Sequence, residues 1–294
     1  MELRLLATFE KVATVLSFTR AAAELGYAQS SVTGQIKSLE SSLGVELFER
    51  LGSRIRLTGA GERLLPYARR MGELAEEARG AVTEAAEPSG PISVGTMESL
   101  TSYRLPPLLE YFHHRYPGVR LTLRPTLGDE TRQALRQGTY DVGFLMEPDT
   151  EHEGLESEVL APEPLVLVAA PDHPLAGRTA LSTEDLAASR LLGTEPGCPY
   201  RDLFEEELRE WAPPFMEFGT IEATKRGVAA GLGVALLPRV AVAAELSART
   251  LVPLPWEAPF TLFTQLAWRR GKRLPAHVRL FVEQARRLVA EQRG

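Results

Sequence analysis

Six polar side chains crowd nine positions near the start of the chain: Gln29, Ser30, Ser31, Thr33, Gln35 and Lys37. Glutamine can pair with an adenine edge, serine and threonine with several bases or with phosphate, and lysine with guanine or phosphate. Short side chains would also let the backbone approach a groove closely. A merely solvated helix face usually carries Glu and Lys, although any amphipathic surface helix needs some polar face, so composition alone leaves both readings open. Four further groups suit the backbone of a nucleic acid: Arg54 could enter a minor groove, and Ser17, Thr19 and Thr58 could hold phosphates. Ser17 and Thr58 are equally well placed to cap helices.

Other chemistries find little support. Cys198 is the single cysteine and the histidines at 113, 114, 152, 173 and 277 form no metal-ligand spacing, so neither an internal disulfide nor a structural zinc is expected. For catalysis Glu195, Glu222 or Asp141 would have to form an acid/base pair, yet no nucleophile, histidine or metal set accompanies them. No enzyme activity and no cofactor are expected. The longest uncharged apolar run, Val228 to Pro238, is too short to cross a bilayer. The opening MELRLLATFEK lacks the basic start and long apolar centre of an export signal, which points to the cytoplasm, with no membrane partner. A free-standing exported solute-binding protein would also leave the first 87 residues unexplained.

The net charge of −6 runs against nucleic-acid binding until it is divided along the chain. Residues 1–58 carry seven Lys/Arg and six Asp/Glu, leaving 26 and 33 for the rest, so the amino-terminal part is +1 and the remainder −7. Affinity for DNA would have to come from placed contacts and from two paired copies rather than from a broad basic field.

The elements that would position these groups follow from periodicity. Leu5, Phe9, Val12 and Leu16 keep helical spacing; Ala21, Ala22 and Leu25 resume it before Gly26, and Val32, Ile36, Leu39 and Leu43 resume it again before Gly44. A short helix, a tight turn and a third helix with one apolar stripe describe a helix-turn-helix. In residues 44–62 Leu47, Phe48, Ile55 and Leu57 can pack while Arg50, Arg54 and Arg56 project from a short hairpin, the form of a wing. Thr58 then caps a long helix to about residue 86, ended by Pro88, Gly90 and Pro91. Within it Leu64, Ala68, Met71, Ala75, Ala78 and Val82 alternate spacings of four and three, a coiled-coil seam that one helix cannot bury, so a dimer is expected. Pro66 should kink this helix near its start.

From Pro91 onward short β runs (92–96, 119–123, 140–146, 164–170, 233–238 and 262–268) alternate with helical patterns (104–116, 129–137, 182–189, 201–211, 222–231 and 275–292). Such alternation argues for open α/β sheets, whose ligands bind beyond the carboxyl ends of strands. The expected organisation is a DNA-binding domain at 1–58, a linker helix at 59–87 and a ligand domain at 91–294. The last divides into a first subdomain at about 91–162 plus 266–294 and a second at about 163–265. The segment 95–107, GTMESLTSYRLPP, passes from strand to helix, so Met97, Ser99, Leu100 and Thr101 stand where N–H groups and hydroxyls could receive an anion or a carbonyl.

Five separated motifs in order, FTRAAAELGYAQSSVTGQIKSLESSLGVELFER (18–50), RLTGAGE (56–62), YRLPPLL (103–109), DHPLAG (172–177) and EATKRGVAAGLGVALLP (222–238), resemble those of LysR-type transcriptional regulators over nearly the whole chain. The resemblance implies an α+β multidomain protein. Its parts are an all-α winged helix-turn-helix, a long linker helix and a two-subdomain α/β effector domain similar to type 2 periplasmic binding proteins. It implies sequence-specific binding of double-stranded DNA at a dyad-symmetric promoter site, modulated by a small-molecule effector, in a homodimer that pairs into a tetramer. Gly34 departs from the family, where a long polar or basic side chain is common. The resemblance also places the effector cleft at Ser99–Thr101, bordered by Thr126 to Asp129 including Gly128, by residues 195–201 including Cys198, Pro199 and Arg201, and by Thr220 to Glu222. Phe144 and Met146 would supply apolar wall. Arg201 either partners a ligand carboxylate or braces its loop, and the hydroxyls at two helix starts favour a small organic acid. Cys198 near Arg201 could be an acidic thiol, but a redox sensor needs a resolving partner that the sequence lacks, which leaves a small pocket-lining residue.

Overall fold

A computed structural model of the chain describes residues 2–51, 54–82, 87–211 and 216–291, which fall into two compact units, residues up to 86 with 137–139, and residues 87–136 with 140–294. In the first, helices α1 (Leu3–Val15), α2 (Phe18–Leu25) and α3 (Gln29–Leu43) precede an antiparallel hairpin of β1 (Phe48–Leu51) and β2 (Arg54–Leu57), and α4 (Gly59–Val82) follows. Each break is a left-handed residue: Leu16 (φ 47°) ends α1, and the glycines Gly26 (φ 68°) and Gly44 (φ 70°) end α2 and α3, where the absence of a Cβ makes that conformation cheap. Phe9, Val12, Ala21, Val32 and Leu39 are fully buried between the three helices, and the ring of Phe48 packs 5.4 Å from that of Phe9. Each large apolar side chain so buried is worth about 1.5–3 kcal/mol.

The entry to α4 is tied to the hairpin. Thr58 Oγ1 donates to the Glu46 carbonyl at 2.7 Å and accepts from the Gly61 N–H at 3.1 Å, and a Cβ on Gly61 would lie 2.3 Å from the Leu47 carbonyl oxygen, so only glycine fits that approach. Pro66 lies inside α4 and the helix continues beyond it. The seam expected along α4 is partly used within the chain itself: Ala68 is buried in the helical core and Leu64 packs against it. Tyr67 (63% exposed), Met71 (37%) and Leu74 (62%) instead stand open at spacings of four and three. The side chain of Val82 lies outside the described residues.

The second unit is built on a five-stranded sheet in the order β4-β3-β5-β12-β6. Here β3 (Gly90–Thr96) runs parallel to β4 (Val119–Pro125) and β5 (Val142–Glu147), while β12 (Leu262–Arg269) is antiparallel to β5 and β6 (Leu155–Glu163). Between β3 and β5 run α5 (Glu98–Tyr103), α6 (Pro106–Arg115) and α7 (Gly128–Gln137), and α12 (Ala276–Glu291) closes the chain. A three-stranded antiparallel sheet, β10-β7-β11, combines β7 (Leu165–Ala169) with β10 (Ala235–Pro238) and β11 (Val252–Pro253). A parallel pair, β8 (Leu192–Gly193) and β9 (Met216–Glu217), lies among the helices α8 (Thr183–Leu186), α9 (Pro199–Glu207), α10 (Ile221–Ala229) and α11 (Ala243–Ala248).

Near-continuous burial along β5, all six residues, identifies it as a central strand covered on both faces. Phe144 and Met146 belong to that burial: Phe144 is 6.2 Å, ring to ring, from Phe281 of α12. They are core residues rather than the expected apolar wall of a cleft. Leu100, wholly buried, joins the same core.

Candidate DNA-reading surface and ligand cavity

In the first unit the chemistry rests on α3. Val32, Ile36 and Leu39 bury one stripe, and Gln29, Ser30, Ser31 and Lys37 are exposed. Ser38, absent from the sequence-based candidates, is also exposed, one residue beyond Lys37 on the outer face. Gly34 lies in the middle of that face, and a Cβ there would meet nothing within 4 Å. The start of α3 has no side-chain cap, because Ala28 precedes it; the Ser31 N–H already donates to the Ala28 carbonyl at 3.0 Å, which leaves the N–H groups of Gln29 and Ser30 for a phosphate.

Two candidates behave differently from their neighbours. Gln35 precedes Ile36 at the edge of the buried stripe, and its Oε1 accepts from Thr8 Oγ1 of α1 at 2.5 Å, with Thr8 itself buried. It locks α3 to α1. Thr33 is half-buried and donates to the Gln29 carbonyl one turn earlier at 3.0 Å. Ser17 caps α2, accepting from the Arg20 N–H at 3.3 Å, while Thr19 and Arg20 are exposed. Thr58 is the cap of α4 already described. Arg54 opens β2, but its side chain, like that of Arg50, lies outside the described residues; Arg56 is exposed and pairs with Glu49 at 2.5 Å.

In the second unit four strand-to-helix turns converge on a cavity of about 380 Å³. Met97, Glu98 and Ser99 come from the turn after β3, and Pro125, Thr126, Leu127 and Glu130 from that after β4. Thr194, Glu195, Cys198 and Tyr200 follow β8, and Gly219, Thr220 and Ile221 follow β9. All four turns leave the carboxyl ends of strands, where open α/β sheets place their ligands, and the volume suits a small molecule.

Of the expected cleft residues, Met97, Ser99, Thr126, Cys198 and Thr220 line this cavity. Leu100, Phe144 and Met146 do not, being core. Thr101 turns its hydroxyl back to the Met97 carbonyl at 3.0 Å. Gly128 lies beyond the wall, under the guanidinium of Arg132, and Pro199 is the first residue of α9. Arg201 is buried and braces the loop: its Nη1 donates to the Thr194 carbonyl at 2.5 Å and to Glu217 at 3.2 Å. Glu222 pairs with Lys225 at 2.5 Å and accepts from the Tyr103 hydroxyl at 3.0 Å; the hydrogen bond from Lys225 lowers its pKa. Asp141, also weighed for acid/base work, accepts from Ser93 and Lys272 and serves the sheet. Glu195 lines the cavity as the first residue of the expected 195–201 border, whereas Glu98 and Glu130 were not expected, because nothing in their spacing marks these distant carboxylates as neighbours.

Two features define the cavity's chemistry. Glu98 Oε2 accepts from the Ile221 N–H at 3.4 Å and Thr220 Oγ1 accepts from the Ala223 N–H at 3.1 Å, so the first turn of α10 is largely capped from within the chain. Burial also pushes the Cys198 thiol up to about 11, which keeps it neutral and poorly nucleophilic near neutral pH.

The two units also match known families separately. Residues 3–62 match the bacterial regulatory helix-turn-helix protein family of LysR type, and residues 85–290 match the LysR substrate binding domain. The chain belongs to the LysR family of transcriptional regulators. It is 40% identical over 290 residues to the HTH-type transcriptional regulator YwqM of Bacillus subtilis, covering 98% of this chain and 99% of that protein. It is 35% identical to the RuBisCO operon transcriptional regulator of Allochromatium vinosum, over 93% and 92% of the two chains. A full-length OxyR variant from Pseudomonas aeruginosa superposes with a TM-score of 0.81 at 27% identity, over 99% of this chain and 97% of that one. As a LysR-type regulator the protein combines a DNA-binding helix-turn-helix with an effector-binding domain, and the family forms oligomers. Among the described residues no helix is long and apolar enough to cross a membrane.

Proposed function

We propose that this LysR-type regulator works in the cytoplasm as a homodimer, paired further into a tetramer, on a dyad-symmetric promoter site, and that a small molecule in the cavity after β3, β4, β8 and β9 sets its promoter activity. The observation that carries the DNA reading is α3, which buries Val32, Ile36 and Leu39 while Gln29, Ser30, Ser31 and Lys37 remain open beside a helix start without a side-chain cap. Pairing is supported by Tyr67, Met71 and Leu74, an apolar heptad edge that the protomer leaves open. A small organic acid is favoured by hydroxyls and N–H groups at two helix starts, Ser99–Thr101 and Thr220–Glu222, but at the second Glu98 and Thr220 already occupy two of the N–H groups.

Footprinting of the full chain on the intergenic DNA beside its own gene tests this function. Two protected half-sites about one helical turn apart, ~34 Å, are expected from recognition helices related by a twofold axis. Binding should weaken in Ser30→Ala and Lys37→Ala. A footprint without dyad symmetry, or one indifferent to these substitutions, overturns the reading.

A further inference from the structure

Three carboxylates, Glu98, Glu130 and Glu195, line the cavity, and none of its fourteen lining residues is Lys, Arg or His. The cations that could have met an anionic ligand nearby are engaged elsewhere. Arg201 is held by Thr194 and Glu217, Lys225 by Glu222 and Glu245, and Arg132 by Glu147 and Asp129. The helix start that would attract a carboxylate already has one, since Glu98 reaches the Ile221 N–H. A second, independent observation points to a ligand. Ser99 is 2% exposed, lines the cavity, and among the described residues its Oγ has no hydrogen-bond partner. A buried hydroxyl left unpaired is unfavourable, and a bound polar group can satisfy it.

Resting on the reading of this cavity as the effector site, we propose that its ligand is a small organic cation, an ammonium or guanidinium compound, whose N–H donors are received by Glu98, Glu195 and Ser99 Oγ. Its apolar body lies against Met97, Leu127 and Ile221. Glu130, exposed at the rim, adds attraction on approach. The electrostatics agree with this geometry. Burial raises the pKa of Glu98 against the effect of the Ile221 N–H, and the charges of Glu195 and Glu222 raise it further. A cation between these carboxylates removes the repulsion, while an anion would add to it.

The test is titration calorimetry of the full chain with probes matched in length and opposite in charge: 1,4-diaminobutane against butanedioate, and butylamine against butyrate. The amines should bind and the acids should not. Glu98→Gln and Glu195→Gln should each weaken the diamine by about tenfold, the loss of one charge-assisted contact. Glu195 is half-exposed and makes no hydrogen bond to the α10 backbone of the kind Glu98 makes, so its variant remains informative if Glu98→Gln misfolds. Gly219→Phe, at an open position where a Cβ meets nothing within 4 Å, should block the cavity and abolish binding of any probe. Binding of the acids alone, lost in Gly219→Phe, overturns the cation assignment and leaves the effector site standing. Binding that survives Gly219→Phe places the effector elsewhere and overturns both. Binding by neither class, in a folded protein that still footprints its promoter, also overturns the cation assignment.

Discussion

The DNA-reading surface and the ligand cavity are built in opposite ways. A single helix of fifteen residues, α3, carries both the stripe that seats it and the side chains that face outward. The cavity gathers fourteen residues from four turns spread between positions 97 and 221, and no single turn encloses it. In the first case the 3.6-residue period decides which side chains are free. In the second, the order of strands in two sheets decides which turns become neighbours. A surface made from one element is therefore open to reasoning from spacing, and a cavity made from many is open only to reasoning from topology.

The comparison can be broken most forcefully at the face that α4 leaves open. Met71→Asp together with Leu74→Asp puts charge on the proposed pairing edge and should separate the dimer. Operator affinity then falls by about 10²–10⁴-fold through loss of the second half-site, and sedimentation reads the change of mass. Unchanged mass would return this edge to ordinary surface. Leu39→Ala opens a space under α3 and should destabilise the helical core by about 2–5 kcal/mol, measured by denaturant titration. If the cavity depends only on its own sheets, ligand binding in the second unit survives this change.

Cys198 sharpens the contrast from the other side. With its pKa pushed up to about 11, its thiolate fraction at pH 8 is about a hundredfold below that of an ordinary cysteine, so iodoacetamide should modify the native protein about a hundredfold more slowly than the unfolded chain. Rapid native labelling would show that the cavity wall opens. On α3, Gln29→Ala should alter discrimination at one base pair by about 1–3 kcal/mol in competition binding. Gln35→Ala should instead lower stability, through the lost bond to buried Thr8, and leave base preference unchanged. The smallest effect is expected at Gly34: Gly34→Ala meets no neighbour and should stabilise the helix by about 0.5–1 kcal/mol.

Gln35 and Arg201 show where reading by residue type stops. Both are polar residues of a kind suited to binding, and both are spent on the protein itself, one on Thr8 and the other on a loop carbonyl and Glu217. Residue type states what a side chain can bind; it does not state which partner reaches it first. Glu98 makes the converse point. By itself it is an ordinary acidic residue in the first turn of a short helix, and only the arrival of α10 makes it both the cap of Ile221 and a wall of the cavity.

The sequence by itself determined the helices of the first unit, the α/β character of the second and the family, but not β6, β8, β9 or β11, which lie outside every expected β run. Apolar spacing set the helices of the first unit, left-handed glycines ended α2 and α3, alternating β and α patterns required an α/β unit, and five ordered motifs identified a LysR-type regulator. These properties are local or additive along the chain, so they survive without knowledge of what packs on what. Tertiary structure decided the rest. Ala68 is covered within the protomer while Tyr67 and Leu74 are left open, Phe144 and Met146 serve the core, and three glutamates distant in sequence share one cavity. The physical reason is that burial and electrostatic neighbourhood are properties of contacts between distant segments, and such contacts exist only once the sheets have brought the turns together.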